Sequence, residues 1–173
     1  MSWFKIFIPN SVVKHYSEVT VAQLRELDCE LFLVDVDNTL APYDVPRASK
    51  ENIEYLKRLK DSGFKLALVS NNNKKRVEEF AKGLDIKYYA MALKPLPFVY
   101  KKVMKDFGVA KENLVCLGDQ LLTDVLGAHL AGVKVIWTKP LVNRDIFYTK
   151  INRTFEQNIL NTLKKKGYVN EDV

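Results

Sequence analysis

A chain of 173 residues, 47% hydrophobic and 28% charged, has the make-up of one folded domain with a core of useful size. No apolar run approaches the ~20 residues that span a bilayer, and the start, MSWFKIFIPN, is too short for a signal peptide, with Lys5 inside it and Pro9 after it. Cys29 and Cys116 do not make a disulfide framework, which fits a reducing, cytoplasmic setting, and the net charge of +6 permits an anionic partner without requiring one.

Trp3 to Ile8 is a short aromatic-rich start. It reads as packing against the domain; the sharper alternative is an interfacial membrane anchor beside Lys5. Thr20 to Leu27 reads as a short helix with Thr20 as N-cap. Leu31 to Val34 is a continuous apolar run that meets Asp35 and Asp37, with Asn38, Thr39 and Pro42 behind them. A run of this kind, bounded by turn residues, is how a strand buried on both faces reads. From Ser49 to Asp61 the spacing is helical, with Ile53, Leu56 and Leu59 on one face and Gly63 closing it. Phe64 to Val69 is a second strand, ending in Ser70, Asn71, Asn72 and Asn73. The helix after it turns Val77, Phe80 and Ala81 inward and ends at Gly83. Lys87 to Leu93 is a third, weaker strand that runs into Lys94 and Pro95. Pro97 to Phe107 is a helix, with Pro97 suited to its first turn. Leu114 to Leu117 is a fourth strand, which buries Cys116 and ends in Gly118 and Asp119. Leu121 to Ala131 is a helix closed by Gly132, and Val133 to Trp137 a fifth strand. Thr154 to Lys166 reads as a final helix, followed by a mobile tail from Gly167 to Val173. Strands alternating with helices predict an α/β fold around a mainly parallel sheet.

Buried parallel strands present their ligand sites at their carboxyl ends. Here four successive strands end in Asp35 with Asp37 and Thr39, in Ser70 with Asn71, in Lys94, and in Asp119 with Asp124 nearby. Aspartates also favour turns, so Asp35 and Asp37 have a plain capping reading. Charge at the end of a buried strand is otherwise rare unless it is paired or binds a metal. Asp35 suits a nucleophile that forms an aspartyl-phosphate. Asp37 suits the general acid/base, protonating the leaving oxygen and then deprotonating water. Ser70 and Asn71 precede a helix, whose free N–H groups favour a phosphate, and Lys94 adds a point charge for phosphoryl oxygens. Asp119 and Asp124 suit a hard cation, which points to Mg²⁺. Two carboxylates ~4 Å apart repel by roughly 4 kcal/mol at an effective dielectric of ~20, so a divalent cation is the natural counterweight. His15 and His129 have no metal-ligand spacing, and His129 reads as structural.

These positions resemble the four motifs of the haloacid dehalogenase-like phosphohydrolases, in order: DVDNT at Asp35 to Thr39, the strand-end Ser70, Lys94 with Pro95, and GDQLLTD at Gly118 to Asp124. The resemblance covers about Leu31 to Trp137. Asn38 before Thr39, VSNN, KP and GDQxxTD resemble subfamily IIIA, and within it small bacterial proteins similar to mitochondrial phosphatidylglycerophosphate phosphatase. The resemblance implies a three-layer α/β/α Rossmann-like fold with a sheet of five or more strands and no cap domain. It implies one domain: residues 1 to 30 an N-terminal extension, 31 to 137 the catalytic core, 138 to 173 a helix and tail. It implies Asp35 as nucleophile and Asp37 as acid/base. It assigns Thr39, Ser70, Asn71 and Lys94 to the phosphoryl group. Asp35, Asp119, Asp124 and the Asp37 carbonyl become Mg²⁺ ligands, with Asp124 acting directly, through water or by orienting Lys94. The gaps from Asp37 to Ser70 and from Ser70 to Lys94 leave no room for a cap. An uncovered site admits a bulky phosphomonoester, such as a phospholipid headgroup at a membrane surface, which would place the enzyme in the cytoplasm or peripherally on the membrane. The alternatives are a phosphatase of a soluble sugar phosphate or nucleotide, capped by a partner in a homo-oligomer, and a non-catalytic basic scaffold or nucleic-acid-associated protein. Asn152 and Arg153 are further candidates for reaching the substrate.

Overall fold

In a computed structural model of the chain, residues 3 to 142 and 149 to 169 are described, the side chains of Trp3 and of residues 149 to 153 excepted. Six strands form one wholly parallel sheet: β1 (Ser11–Val13), β2 (Leu31–Asp35), β3 (Lys65–Val69), β4 (Lys87–Tyr89), β5 (Leu114–Gly118) and β6 (Lys134–Thr138). Their order is β1-β6-β5-β2-β3-β4. The chain runs outward from β2 through β3 to β4, then returns to the other side of β2 for β5 and β6. The crevice beside β2 is therefore a topological switch point, where such sheets bind ligands.

Six helices cover the two faces: α1 (Val21–Glu26), α2 (Lys50–Asp61), α3 (Lys74–Ala81), α4 (Phe98–Phe107), α5 (Leu126–Ala131) and α6 (Thr149–Lys165). Phe32 and Val34 face one core with Leu24 of α1, Leu56 and Leu59 of α2, and Val77 and Phe80 of α3. Leu31 and Leu33 face the other with Val99 and Val103 of α4, Ala128 of α5, and Ile159 and Leu163 of α6. The three-layer α/β/α expectation holds, with the sheet one strand larger than the five read from sequence. Residues Leu31 to Val34 are wholly buried, each apolar side chain contributing ~1.5–3 kcal/mol.

Several elements differ from their sequence reading. The strand β1 was invisible in the pattern, because three residues carry no periodicity; its pairing with β6 supplies the hydrogen bonds. In α2 the buried side chains are Asn52, Tyr55, Leu56 and Leu59, while Ile53 is 44% exposed. The cause is Asn52. It closes a capping box with Ser49 and donates its amide to Tyr16 Oη (2.8 Å) and Leu40 O (2.9 Å), which sets the helix rotation. The third strand stops at Tyr89 because Met91 and Leu93 adopt left-handed backbone, with φ of 49° and 56°. Pro97 is the N-cap of α4 rather than part of its first turn. The segment read as one helix from Leu121 begins as a π-turn, Leu121–Val125, and becomes α5 only at Leu126. The final helix begins earlier, at Thr149. Val169, assigned to a mobile tail, is buried in the core with Ile159 and Leu163; residues 170 to 173 of that tail lie outside the described residues.

The aromatic start forms a 3₁₀ turn, Trp3–Phe7, that packs on the domain. Phe7 is buried in the same core as α6, Ile6 and Ile8 lie against it, and Lys166 stands over the Phe4 ring. His129 binds Ile8 O through Nε2 at 2.8 Å, the structural role expected of it. Both cysteines are buried thiols.

Candidate active site

Strand register decides which groups meet. Val34 lies opposite Leu117, and Asp35 opposite Val69. One step further along each strand come Ser70 and, past Gly118, Asp119. Asp35, Ser70, Lys94, Asp119 and Asp124 are all buried, although each is polar.

The centre is a carboxylate cluster. One oxygen each from Asp35, Asp119 and Asp124 lie within 4.8 Å of one another. The Lys94 Nζ donates to Asp35 Oδ1 at 2.7 Å and to Asp124 Oδ1 at 2.5 Å. Thr39 Oγ1 donates to Asp119 Oδ1 at 3.2 Å, and Trp137 Nε1 donates to the Asp119 carbonyl at 2.7 Å. The π-turn brings Asp124 back under the end of β5, where its Oδ2 accepts the Gln120 N–H at 3.0 Å. Gly118 makes room: a Cβ there would collide with the Asp124 carboxyl.

Burial pushes the Asp35 carboxyl up to about 7, with Lys94 pulling it down and Asp124 adding to the rise. Burial also holds Asp119 well above the usual carboxylate range, reinforced by Asp35 and Asp124. Burial opposes the charge on Lys94, but Asp124 and Asp35 outweigh it and hold the ammonium well above its usual range. Three buried carboxylates thus share one ammonium. This all-oxygen, charge-rich set fits a hard divalent cation.

Asp37 stands apart from that cluster. Its Oδ2 accepts Ser70 Oγ (2.8 Å) and Asn72 Nδ2 (3.2 Å), and its Oδ1 accepts Arg76 Nε (3.0 Å). Arg76 and Asn72 are site residues that the sequence reading missed. Arg76 also donates to the carbonyls of Pro46 (3.2 Å) and Pro42 (3.3 Å) and stacks over Phe80. It therefore ties the loop after β2 to the first turn of α3. Nothing in the local pattern marks a charge that pairs 39 residues back; its place one turn into the helix after a site strand is the sole clue.

Asn71 lies against the Lys94 backbone. Its Oδ1 accepts the Lys94 N–H (2.7 Å) and its Nδ2 donates to the Lys94 carbonyl (2.9 Å). The segment so held carries Met91 and Leu93 in left-handed backbone, a conformation that costs an ordinary L-residue roughly 1–2 kcal/mol. Asn38, also left-handed, exchanges side-chain hydrogen bonds with the Val142 backbone beyond β6. Of the sequence candidates, Asp35, Lys94, Asp119 and Asp124 come together, with Thr39 behind Asp119 and Ser70 beside Asp37. The side chains of Asn152 and Arg153 lie outside those described.

The arrangement pairs a buried carboxylate, held by one ammonium and clustered with two further carboxylates, with a fourth carboxylate to one side. That is equipment for nucleophilic displacement with a separate proton donor. The profile of the haloacid dehalogenase-like hydrolases matches residues 7–138. The chain is 38% identical over 165 residues to the probable phosphatase YqeG of Bacillus subtilis, covering 95% of this chain and 96% of that protein. It is 29% identical over 134 residues to the glyceraldehyde 3-phosphate phosphatase of Pyrococcus furiosus, across 67% of this chain and 54% of that protein. A cobalt-bound deoxy-D-mannose-octulosonate 8-phosphate phosphatase from Haemophilus influenzae shares the fold, at TM-score 0.54 and 16% identity, over 84% of this chain and 95% of that one. With a profile match across most of its length and a full-length relative at 38% identity, the chain belongs to the haloacid dehalogenase-like hydrolases, as a phosphatase.

Proposed function

We propose that the protein is a Mg²⁺-dependent phosphomonoesterase of subfamily IIIA that works through an aspartyl-phosphate on Asp35, with phosphatidylglycerophosphate as its substrate. The observation that carries the reading is the buried Asp35 carboxylate, held by Lys94 at 2.7 Å and clustered with Asp119 and Asp124. In the first step an Asp35 oxygen attacks phosphorus and the bond to the leaving oxygen breaks, while Asp37 supplies the proton that oxygen needs. In the second, Asp37 takes a proton from water, the water oxygen attacks phosphorus, and Asp35 is freed with release of inorganic phosphate. Lys94, Ser70 and Thr39 orient the phosphoryl group and its surroundings, and Asn71 fixes the Lys94 backbone. Asp35, Asp119, Asp124 and the Asp37 carbonyl would hold Mg²⁺, which when bound supplies charge to the phosphoryl oxygens.

Between β2 and β3 the chain holds a loop and α2, and between β3 and β4 it holds α3. Neither gap among the described residues holds a cap, which supports a phosphate carried on a large body, such as a lipid headgroup. The likeness to the Pyrococcus furiosus enzyme favours a second reading, a soluble sugar phosphate enclosed by a partner subunit. Phosphate release from phosphatidylglycerophosphate micelles, p-nitrophenyl phosphate and a triose phosphate separates the two. Preference for the lipid is expected. Preference for the triose phosphate by a dimer would remove the lipid assignment, and silence on all three would remove the phosphatase mechanism.

Two further results are expected. Mg²⁺ at 100 times its Kd stabilises the fold by about 2.7 kcal/mol, and Asp119→Asn loses most of that gain. Thermal melting with and without Mg²⁺ checks it, and an equal shift in both proteins would count against the carboxylate site. Arg76→Ala should slow hydrolysis of alkyl phosphates by ~10–100-fold, through loss of a positioned general acid. It should slow p-nitrophenyl phosphate far less, because that leaving group departs without a proton. An equal fall on both substrates would reduce Arg76 to a structural role.

A further inference from the structure

Four large apolar side chains stand in water within one short stretch: Met91, Leu93, Leu96 and Phe98, at 65, 62, 46 and 63% exposure. Single exposed apolar residues need no explanation, but a contiguous group does. In their midst is Lys94, whose ammonium reaches the buried Asp35. The group is thus the lip of the phosphate site. It is held in place: the Met91 N–H donates to Asn72 O at 2.8 Å and the Ala92 N–H to Ser70 O at 3.1 Å. Ala92 is buried, so the segment is anchored at Ala92 and Lys94 and displays Met91 and Leu93. Both displayed residues sit in backbone that glycine or asparagine would occupy more easily. Bulky apolar side chains kept in such backbone, and kept out of the core, break the local folding rules without a folding return, which is the mark of a functional surface. Across Asp37, exposed Tyr43 and Val45 lie in the turn whose Pro42 and Pro46 carbonyls Arg76 holds.

The surrounding charge decides what meets this lip. The inner side of α4 is Val99, Tyr100 and Val103. Its outer side carries Phe98, Lys101, Lys102 and Lys105, all exposed and spaced so that they share one face. The helix α3 begins just after Asn72 with exposed Lys74 and Lys75. An apolar lip edged by lysines complements a bilayer of anionic phospholipid, whose acyl boundary takes the apolar side chains and whose phosphates face the lysines. A second copy of the chain would set the same lysines against one another across a two-fold axis.

We propose that residues 91 to 98, with the lysine face of α4, form a docking surface that lays the active-site mouth on an anionic phospholipid bilayer; this rests on the lipid-phosphate reading above. The surface is distinct from the aromatic start of the chain, whose Phe7 is committed to the core.

The test is vesicle flotation of full-length wild-type and Asp35→Asn protein, the latter separating docking from turnover. The vesicles are phosphatidylcholine alone or mixed with phosphatidylglycerol. Both proteins should float with the anionic vesicles alone, and less as salt rises. Leu93→Ser with Phe98→Ser should weaken flotation at least ~tenfold, about 1.4 kcal/mol in affinity. Ile53→Ser with Leu130→Ser, exposed residues on other faces, should bind as wild type. Lys101→Glu with Lys105→Glu, on an exposed helix face, should abolish the anionic preference and serves if the lip variant does not fold. Failure of wild type to float, or flotation of the lip and lysine variants equal to that of wild type, would overturn the docking surface. So would a dimer in sedimentation that the lip variant breaks while vesicles bind neither protein. Wild-type turnover of p-nitrophenyl phosphate is scored separately. Turnover without flotation overturns docking alone, and flotation without turnover overturns the catalytic reading alone.

Discussion

Asp35→Asn protein is expected to release phosphate on the order of 10⁴-fold more slowly than wild type, while melting within about 3 °C of it in the absence of Mg²⁺. The activity loss follows from chemistry: an amide cannot form the acyl phosphate, so the displacement has no first step. The preserved fold follows from electrostatics. Asp35 is one of three buried carboxylates whose oxygens lie within 4.8 Å of one another. Neutralising it removes repulsion, while Lys94 keeps Asp124 at 2.5 Å. The measurement is phosphate release under Mg²⁺ beside a thermal melt. Acid-quenched wild type should carry phosphate on Asp35, and the variant none. Residual turnover within ~100-fold of wild type would mean that water attacks phosphorus directly and would end the aspartyl-phosphate mechanism.

Lys94→Met should be the most damaging single change at the site for folding, and it should lower turnover as well. Methionine keeps the volume of the stem and removes the ammonium. Two buried contacts go at once, 2.7 Å to Asp35 and 2.5 Å to Asp124, and the carboxylates are left facing each other. Removing one partner of a buried pair costs about 3–5 kcal/mol. For a chain of this size that is a fall in melting temperature on the order of 10 °C. Mg²⁺ should recover more stability in this variant than in wild type, since the cation replaces the missing charge. Turnover should not return with it, because the phosphoryl oxygens still lack their ammonium. A fall of less than ~2 °C would show that the cluster is not under charge strain and that Lys94 is there for substrate alone.

What could be read locally was read well. Thr20 caps α1 as expected, because an N-cap depends on a hydroxyl and the N–H groups within three residues of it. The buried strand β2 was visible because four consecutive apolar residues ending in aspartates permit few alternatives. The rotation of α2 was misread, because Asn52 answers to Tyr16 and Leu40, 36 and 12 residues away. Arg76 and Asn72 were missed for the same reason, as their partner Asp37 lies on a different strand end.

By itself the sequence determined the alternation of strands and helices, the parallel sheet and the four polar strand ends, since each depends on periodicity, turn residues or a motif within a few positions. It also determined the family, through motifs that keep their order and spacing. Tertiary structure alone decided that β1 joins the sheet, that the helix at Leu121 starts as a π-turn carrying Asp124, and that Asp37 is drawn aside to Arg76. It alone decided that Met91, Leu93, Leu96 and Phe98 stand exposed on either side of the buried Lys94. The physical reason is common to all of them. Each outcome depends on contacts between segments distant in sequence, which leave no period or composition in the chain to be read.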